Sequence, residues 1–216
     1  MIQAVIFDLN DVLTDTGDCH CQAWRQMAKE QGIPLEEEAS CLLPRMEDQE
    51  ALELLLKKAE RAYSPGERLA LIARKNDLYA GLISALGPER LLPGAVTALE
   101  SLRALGLKVV SAAPDENAPA VLRQLGLSKL LDLVVLWPRD GREEAAAQTL
   151  RQAAARLGLS PACCLAVVSP RHEEAALRCG MRAVLVGGDQ GEGGALLWAD
   201  SLAQINLPAL IGAGIV

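Results

Sequence analysis

The spacing of apolar positions changes twice along the chain and divides it into three stretches. Ile2 to Phe7 is apolar without a helical period, which predicts a short buried strand, and Asp8-Leu9-Asn10-Asp11 ends it with turn-forming polar residues. The strand therefore carries carboxylates at its carboxyl end. From Asp15 to Leu86 the spacing is helical. One helical segment runs through Trp24 to Gln31 and is closed by Gly32-Ile33-Pro34, a second covers Gln49 to Tyr63, and a third covers Glu67 to Ala85, opened by Ser64-Pro65-Gly66. Beyond Leu91-Leu92-Pro93-Gly94 helices and strands alternate: helix Ala95 to Leu105, strand Leu107 to Ser111, helix Ala118 to Leu125, strand Leu133 to Leu136, helix Glu143 to Leu157, strand Cys164 to Val168, helix Glu173 to Cys179, and strand Ala183 to Val186.

Such alternation implies an α/β fold, a Rossmann-like doubly wound parallel sheet with helices on both faces. The all-helical stretch is then an insert: residues 1–14 and 92–216 form the α/β domain and residues 15–91 a helical domain. Ligands of these sheets sit beyond the carboxyl ends of the strands. Asp8, Ser111 to Asp115, Trp137 to Arg142 and Ser169 to His172 are therefore expected around one crevice, with the helical insert over it.

Charge and composition narrow the function. A formal net charge of −7 disfavours a general nucleic-acid binder, which needs clustered Lys and Arg against phosphates. No apolar run approaches the roughly 20 residues that span a bilayer, and Met1 leads straight into the first strand. A cytoplasmic protein with no membrane partner is expected. The six cysteines (Cys19, Cys21, Cys41, Cys163, Cys164, Cys179) are expected to be buried or idle thiols, because a chain with so large an aliphatic core has no need of disulfides. Cys19-His20-Cys21 lacks the second Cys/His pair of a zinc site. Gly187 to Gly194 is too irregular for a nucleotide fingerprint and reads as a surface connection.

The segment Phe7-Asp8-Leu9-Asn10-Asp11-Val12-Leu13-Thr14-Asp15-Thr16 resembles the first motif of the haloacid dehalogenase phosphotransferases, in which two aspartates one residue apart follow a buried strand. His20, Ala23 and Trp24, Arg74-Lys75-Asn76-Asp77-Leu78-Tyr79, Leu91-Leu92-Pro93-Gly94 and Leu157-Gly158-Leu159-Ser160-Pro161 are similar to the β-phosphoglucomutase-like subfamily, so the likeness covers nearly the whole chain. It implies a haloacid dehalogenase core with a helical cap, an Mg²⁺ cofactor, and a hexose phosphate or similar phosphosugar as partner. Asp8 takes the position of the nucleophile that forms an aspartyl-phosphate, splitting one difficult displacement into two easier ones. Thr16, His20, Trp24, Lys75 and Asn76, and more loosely Arg45, match residues that hinge the cap and grip the phosphosugar. Asn117 and Asp115 fall in the aligned substrate-binding stretch.

The same alignment shows four departures. The second aspartate, a general acid and base worth about 100- to 10,000-fold in rate, is Asn10, whose amide neither gives nor takes a proton at neutral pH. Asp11 follows where relatives usually have glycine and is not expected to substitute, because one step along a turn redirects the side chain. Ala113 stands at the phosphate-binding Ser/Thr position, with Ser111 two residues early, and a negative Asp115 there would repel phosphate. Glu144 falls on the phosphoryl-neutralising lysine, with Arg142 the nearest cation. Val167 and Val168 replace the acidic pair that completes the Mg²⁺ site, leaving Asp8 and the Asn10 carbonyl as the obvious ligands. Whether Asp115, Asp140 or Asp189 restores oxygen donors stays open at this level. The expectation is a β-phosphoglucomutase-like pseudoenzyme that binds a hexose phosphate with catalysis lost or strongly impaired. The alternatives are an active Mg²⁺-dependent phosphoglucomutase or sugar-phosphate phosphatase, and a non-catalytic structural paralogue.

Overall fold

In a computed structural model that describes residues 1–43, 46–113, 117–137, 143–188 and 193–214, the chain runs β1 (Ala4–Asp8), α1 (Gly17–Glu30), α2 (Glu37–Ser40), α3 (Asp48–Leu56), α4 (Pro65–Ile83), α5 (Ala95–Ala104), β2 (Lys108–Ala113), α6 (Ala118–Gln124), β3 (Leu133–Leu136), α7 (Glu143–Arg156), β4 (Cys164–Val168), α8 (Glu173–Arg178), β5 (Arg182–Val186), β6 (Leu197–Ala199) and α9 (Leu207–Gly212). The six strands make one sheet in the order β3-β2-β1-β4-β5-β6, and every pairing is parallel. All five residues of β1 are buried. A parallel strand covered on both faces reads as a continuous apolar run, which is what Ala4-Val5-Ile6-Phe7 is. Its register places Phe7 between Ser111 of β2 and Val167 of β4.

The two faces of the sheet are covered differently. On one, Ile6, Val110, Ala166 and Val168 pack with Ala147, Leu150 and Ala154 of α7 and Ala175 and Ala176 of α8. The alanines let these helices lie close to the strands. Beyond that layer, α5 packs on β2 and α9 packs on α5. The chain forms two compact units, Met1–Asp15 with Pro88–Val216 and, separately, Thr16–Gly87. The second unit is all helical, and its core joins Trp24, Met27 and Ala28, spaced i, i+3, i+4 on α1, to Leu52, Leu55 and Leu71. Ser64 and Glu67 close a capping box at the start of α4. No helix among the described residues is long and apolar enough to cross a membrane.

The element boundaries differ from expectation in four places. Helix α1 begins at Gly17, so Cys19-His20-Cys21 lies on it instead of preceding it. The second expected helix stops at Leu56 instead of Tyr63; Tyr63 turns inward, 6% exposed, beneath the Arg61 guanidinium at 3.7 Å. Neither β6 nor α9 is visible in the apolar spacing, because three and six residues are too few to show a period.

Gly94 joins α5 to the segment leading into α9. It has φ +87°, and a Cβ there would meet the Ala203 nitrogen at 2.3 Å and the Leu202 carbonyl carbon at 2.6 Å, just where Ala203 N–H donates to the Pro93 carbonyl at 3.1 Å. Gly94→Ala combines a left-handed backbone with a clash against main chain, and a loss of at least about 2 kcal/mol is expected in urea unfolding. A loss under about 0.5 kcal/mol would show that the 202–203 segment yields easily.

Candidate active site

The tips of β1, β2, β3 and β4 meet at Asp8. The Asp8 side chain is 4% exposed, and four donors converge on it. Trp137 Nε1–H donates to Oδ1 at 2.8 Å. The Ser169 backbone N–H and hydroxyl donate to Oδ2 at 3.2 and 3.1 Å, and His172 Nδ1 lies 2.6 Å from the same oxygen. A carboxylate only accepts, so Nδ1 carries the ring proton in this contact. The Trp137 and His172 rings stack on each other, centroids 4.4 Å apart and planes 19° from parallel.

Local geometry brings these groups together. Trp137 follows β3 directly, and its N–H donates to the Ala113 carbonyl at 2.6 Å. Between β3 and β1 the tip of β2 carries only the methyls of Ala112 and Ala113, which lets the indole reach across to Asp8. After β4, extended Ser169 and Pro170 open a single 3₁₀ turn that ends at His172. The turn is closed by His172 N–H donating to the Ser169 carbonyl at 2.9 Å, and it folds the imidazole back over Asp8. Burying an unpaired carboxylate would cost several kcal/mol; four donors offset that cost.

Among the described residues, Val167, Val168, Ala113, Ser111 and Glu144 bring no further hydrogen bond or ion pair to Asp8. Val167 and Val168 are fully buried, and Val168 packs in the core against α7 and α8. Ala113 offers a methyl, and the Ser111 hydroxyl is sealed inside β2 without a hydrogen-bond partner. Glu144 pairs with Arg151 on α7. Asp11 has φ +66°, the one positive-φ non-glycine among the described residues, and its carboxylate lies 3.6 Å from the Arg171 guanidinium. That accounts for the family's glycine here: the turn needs a left-handed residue, which Asp tolerates better than most. Arg45, Asp115, Asp140, Arg142 and Asp189 lie outside the described residues.

These residues do not fit a divalent cation. Mg²⁺ requires near-octahedral oxygen ligands, whereas both Asp8 oxygens are engaged by N–H and O–H donors and the acidic pair is two core valines. Among the described residues no group of three or more His, Cys, Asp or Glu could hold a metal ion.

The helical unit carries its own charged pair. Lys75 on α4 is 2% exposed, its ammonium 2.6 Å from Asp48 Oδ1 and 5.2 Å from the centroid of the Trp24 ring. Tyr79 OH donates to Thr16 Oγ1 at 3.2 Å, and the Tyr79 ring stacks on His20 at 3.7 Å. Asn76 is half-buried on α4, and Asn117 precedes α6 with its carbonyl accepting from Ala120 and Val121. All six cysteines are free thiols. Burial first, then the neighbouring Cys41, pushes the Cys21 thiol up to about 12, and burial pushes Cys164 up to about 11. Neither is a nucleophile at neutral pH.

Comparison with known proteins is consistent with this architecture. Residues 2–167 match the haloacid dehalogenase-like hydrolase family. The chain is 34% identical over 212 residues to the β-phosphoglucomutase of Bacillus subtilis (strain 168), covering 97% of this chain and 94% of that protein. It is 29% identical over 136 residues to a phosphorylated carbohydrates phosphatase of Thermotoga maritima, 62% of this chain and 61% of that one. Among solved structures, β-phosphoglucomutase from Clostridium difficile superposes with a TM-score of 0.80 at 26% identity, covering 98% of this chain and 96% of that one.

Substitutions at Asp8 and at the Asp48–Lys75 pair probe the buried charges. Asp8→Ala leaves the Trp137, Ser169 and His172 donors without an acceptor, and Asp8→Asn must aim its amide N–H₂ at one of them. Both variants should lose stability in urea unfolding, the alanine by about 2–4 kcal/mol. An unchanged or raised midpoint would mean that Asp8 is a poised site group instead of a structural acceptor. Asp48→Ala removes the carboxylate 2.6 Å from the buried Lys75 ammonium; a loss of about 2–3 kcal/mol is expected, less than for a fully buried pair because Asp48 is partly exposed, and Lys75→Met should restore most of it in the double variant.

Proposed function

Because the chain belongs to the haloacid dehalogenase-like hydrolases, we propose that it is a cytoplasmic β-phosphoglucomutase-like protein that binds a hexose phosphate and has lost most of that enzyme's turnover. The observation that carries the reading is the closure of Asp8. A nucleophilic carboxylate needs an oxygen open to the phosphoryl group, and here Oδ2 is met by three protein donors and Oδ1 by the Trp137 indole. Asn10 cannot replace the acid and base of the second step. In this reading Thr16–Gly87 plays the part of the family's cap, and Thr16, His20, Trp24, Lys75 and Asn76, together with Arg45, are the residues that the resemblance assigns to hinging it and gripping the sugar phosphate. Asn117 and Asp115 are carried over from the resemblance alone as substrate-binding positions. The ligand class is supported by the named activities of the relatives, a phosphoglucomutase and a phosphatase of phosphorylated carbohydrates.

A specific observation favours a second reading, a structural paralogue without a small ligand. The Lys75 ammonium, which the resemblance assigns to phosphate, is already neutralised by Asp48. The two readings separate in a thermal-shift series with glucose 1-phosphate, glucose 6-phosphate and maltose phosphate. Binding at a ligand concentration about 100 times Kd would stabilise the protein by about 2.7 kcal/mol, a rise of roughly 5–10 °C in Tm; no rise with any of them selects the paralogue. Turnover of β-glucose 1-phosphate with Mg²⁺ is expected to be at least about 1,000-fold below that of the Bacillus subtilis enzyme assayed beside it. Turnover on the order of 10 s⁻¹ would overturn the reading.

A further inference from the structure

We infer that His172 and Trp137 form a built-in plug on Asp8, a pair of stacked rings that takes up the carboxylate's contacts and so keeps both a divalent cation and a phosphoryl group from the nucleophile position. The inference deepens the proposed loss of turnover by naming its cause. A cation bound to Asp8 would have to sit about 2.0–2.1 Å from one of its oxygens, and a phosphorus atom poised for attack about 3–3.5 Å away. The positions around Oδ1 and Oδ2 are held instead by Trp137 Nε1 at 2.8 Å and His172 Nδ1 at 2.6 Å, with Ser169 behind them at 3.1 and 3.2 Å.

The plug is rigid for reasons visible in its parts. Ring stacking at 4.4 Å means neither ring can leave alone without exposing the other's face. Trp137 is 5% exposed and belongs to the core packed against α7 and α8, so its indole cannot swing away freely. The His172 side chain, 22% exposed, is the outer layer, while Asp8 at 4% lies beneath it. The imidazole N–H meets the carboxylate without adding an oxygen ligand, so the pocket is satisfied electrostatically and offers a metal nothing to hold. This holds whatever Asp115, Asp140 or Asp189 contribute, because the shared ligand in any rebuilt site would still be Asp8.

The test uses beryllofluoride, which adds to accessible carboxylates as a phosphoryl mimic and is read directly as bound signal in ¹⁹F NMR, with Mg²⁺ present and no sugar. The unmodified protein should show no bound fluoride. His172→Gly, which removes the 2.6 Å contact from Oδ2 and leaves it only the two Ser169 donors, should show it, and the double variant with Asp8→Asn should lose it again. Trp137→Leu, which uncovers Oδ1 without touching the turn after β4, is the companion variant should the glycine unsettle that turn. Bound fluoride in the unmodified protein that disappears with Asp8→Asn overturns the plug. So does a well-folded His172→Gly and a well-folded Trp137→Leu that both stay silent, since the rings would then not be what closes the carboxylate. Low turnover alongside fluoride bound through Asp8 sinks this inference and leaves the proposed function standing; brisk turnover with fluoride bound sinks both.

Discussion

A carboxylate that is almost wholly buried has to find donors, and at Asp8 that requirement organises the carboxyl end of the sheet. Three chain segments converge on one side chain: the residue after β3, the turn after β4, and the tip of β1 itself. Each is an ordinary strand exit taken alone. Together they are fixed relative to one another by hydrogen bonds to a single charged group, and charge-assisted bonds are roughly twice as strong as neutral ones. The arrangement gives Asp8 a structural duty that competes with chemistry, because moving the carboxylate would take the acceptor away from all four donors.

Much of this fold could be read from the order of apolar runs. The central strand, the alternation after Gly94 and the parallel sheet follow from Ala4 to Phe7 and its successors, since strands buried on both faces must be apolar at every position. The strand-tip rule also gathered Asp8, Trp137 and Ser169 to His172 around one crevice, and the structure brings Asp8, Trp137, Ser169 and His172 within hydrogen-bonding reach. What the sequence could not show was the role of Trp137 and His172. Nothing in a lone Trp after a strand or a His before a short helix says that each ring will donate to the same carboxylate; that depends on the small Ala112-Ala113 tip between β1 and β3 and on the 3₁₀ turn at Pro170. The signal was present only as the hydrogen-bond donors Trp137, Ser169 and His172 among the residues named for the same crevice as Asp8.

The replacements near the site are also legible as core packing. Val167 and Val168 lie at the end of a strand whose every residue is buried, and two valines there extend the hydrophobic layer to the carboxyl end of the strand, where an acidic pair would otherwise demand solvation or a cation. The valines at 167 and 168 and the donors on Asp8 are mutually consistent: no carboxylate of an acidic pair is left unpaired in the core, and the indole N–H, the imidazole and Ser169 meet the Asp8 carboxylate.

The helical unit has followed the same rule independently. Lys75 is as buried as Asp8 and is held by Asp48, with the Trp24 ring as a second, weaker attraction. An anionic ligand that used this ammonium would have to break a short ion pair and leave Asp48 to be resolvated, so only the difference between the two pairings would count toward binding. Asp48 is a fifth exposed and can recover water, which makes that exchange feasible but lowers the net affinity. In each unit a charge that the resemblance assigns to a ligand is met by a protein partner. A phosphosugar would therefore bind by displacing an internal partner, and its affinity would report how firmly that partner is held.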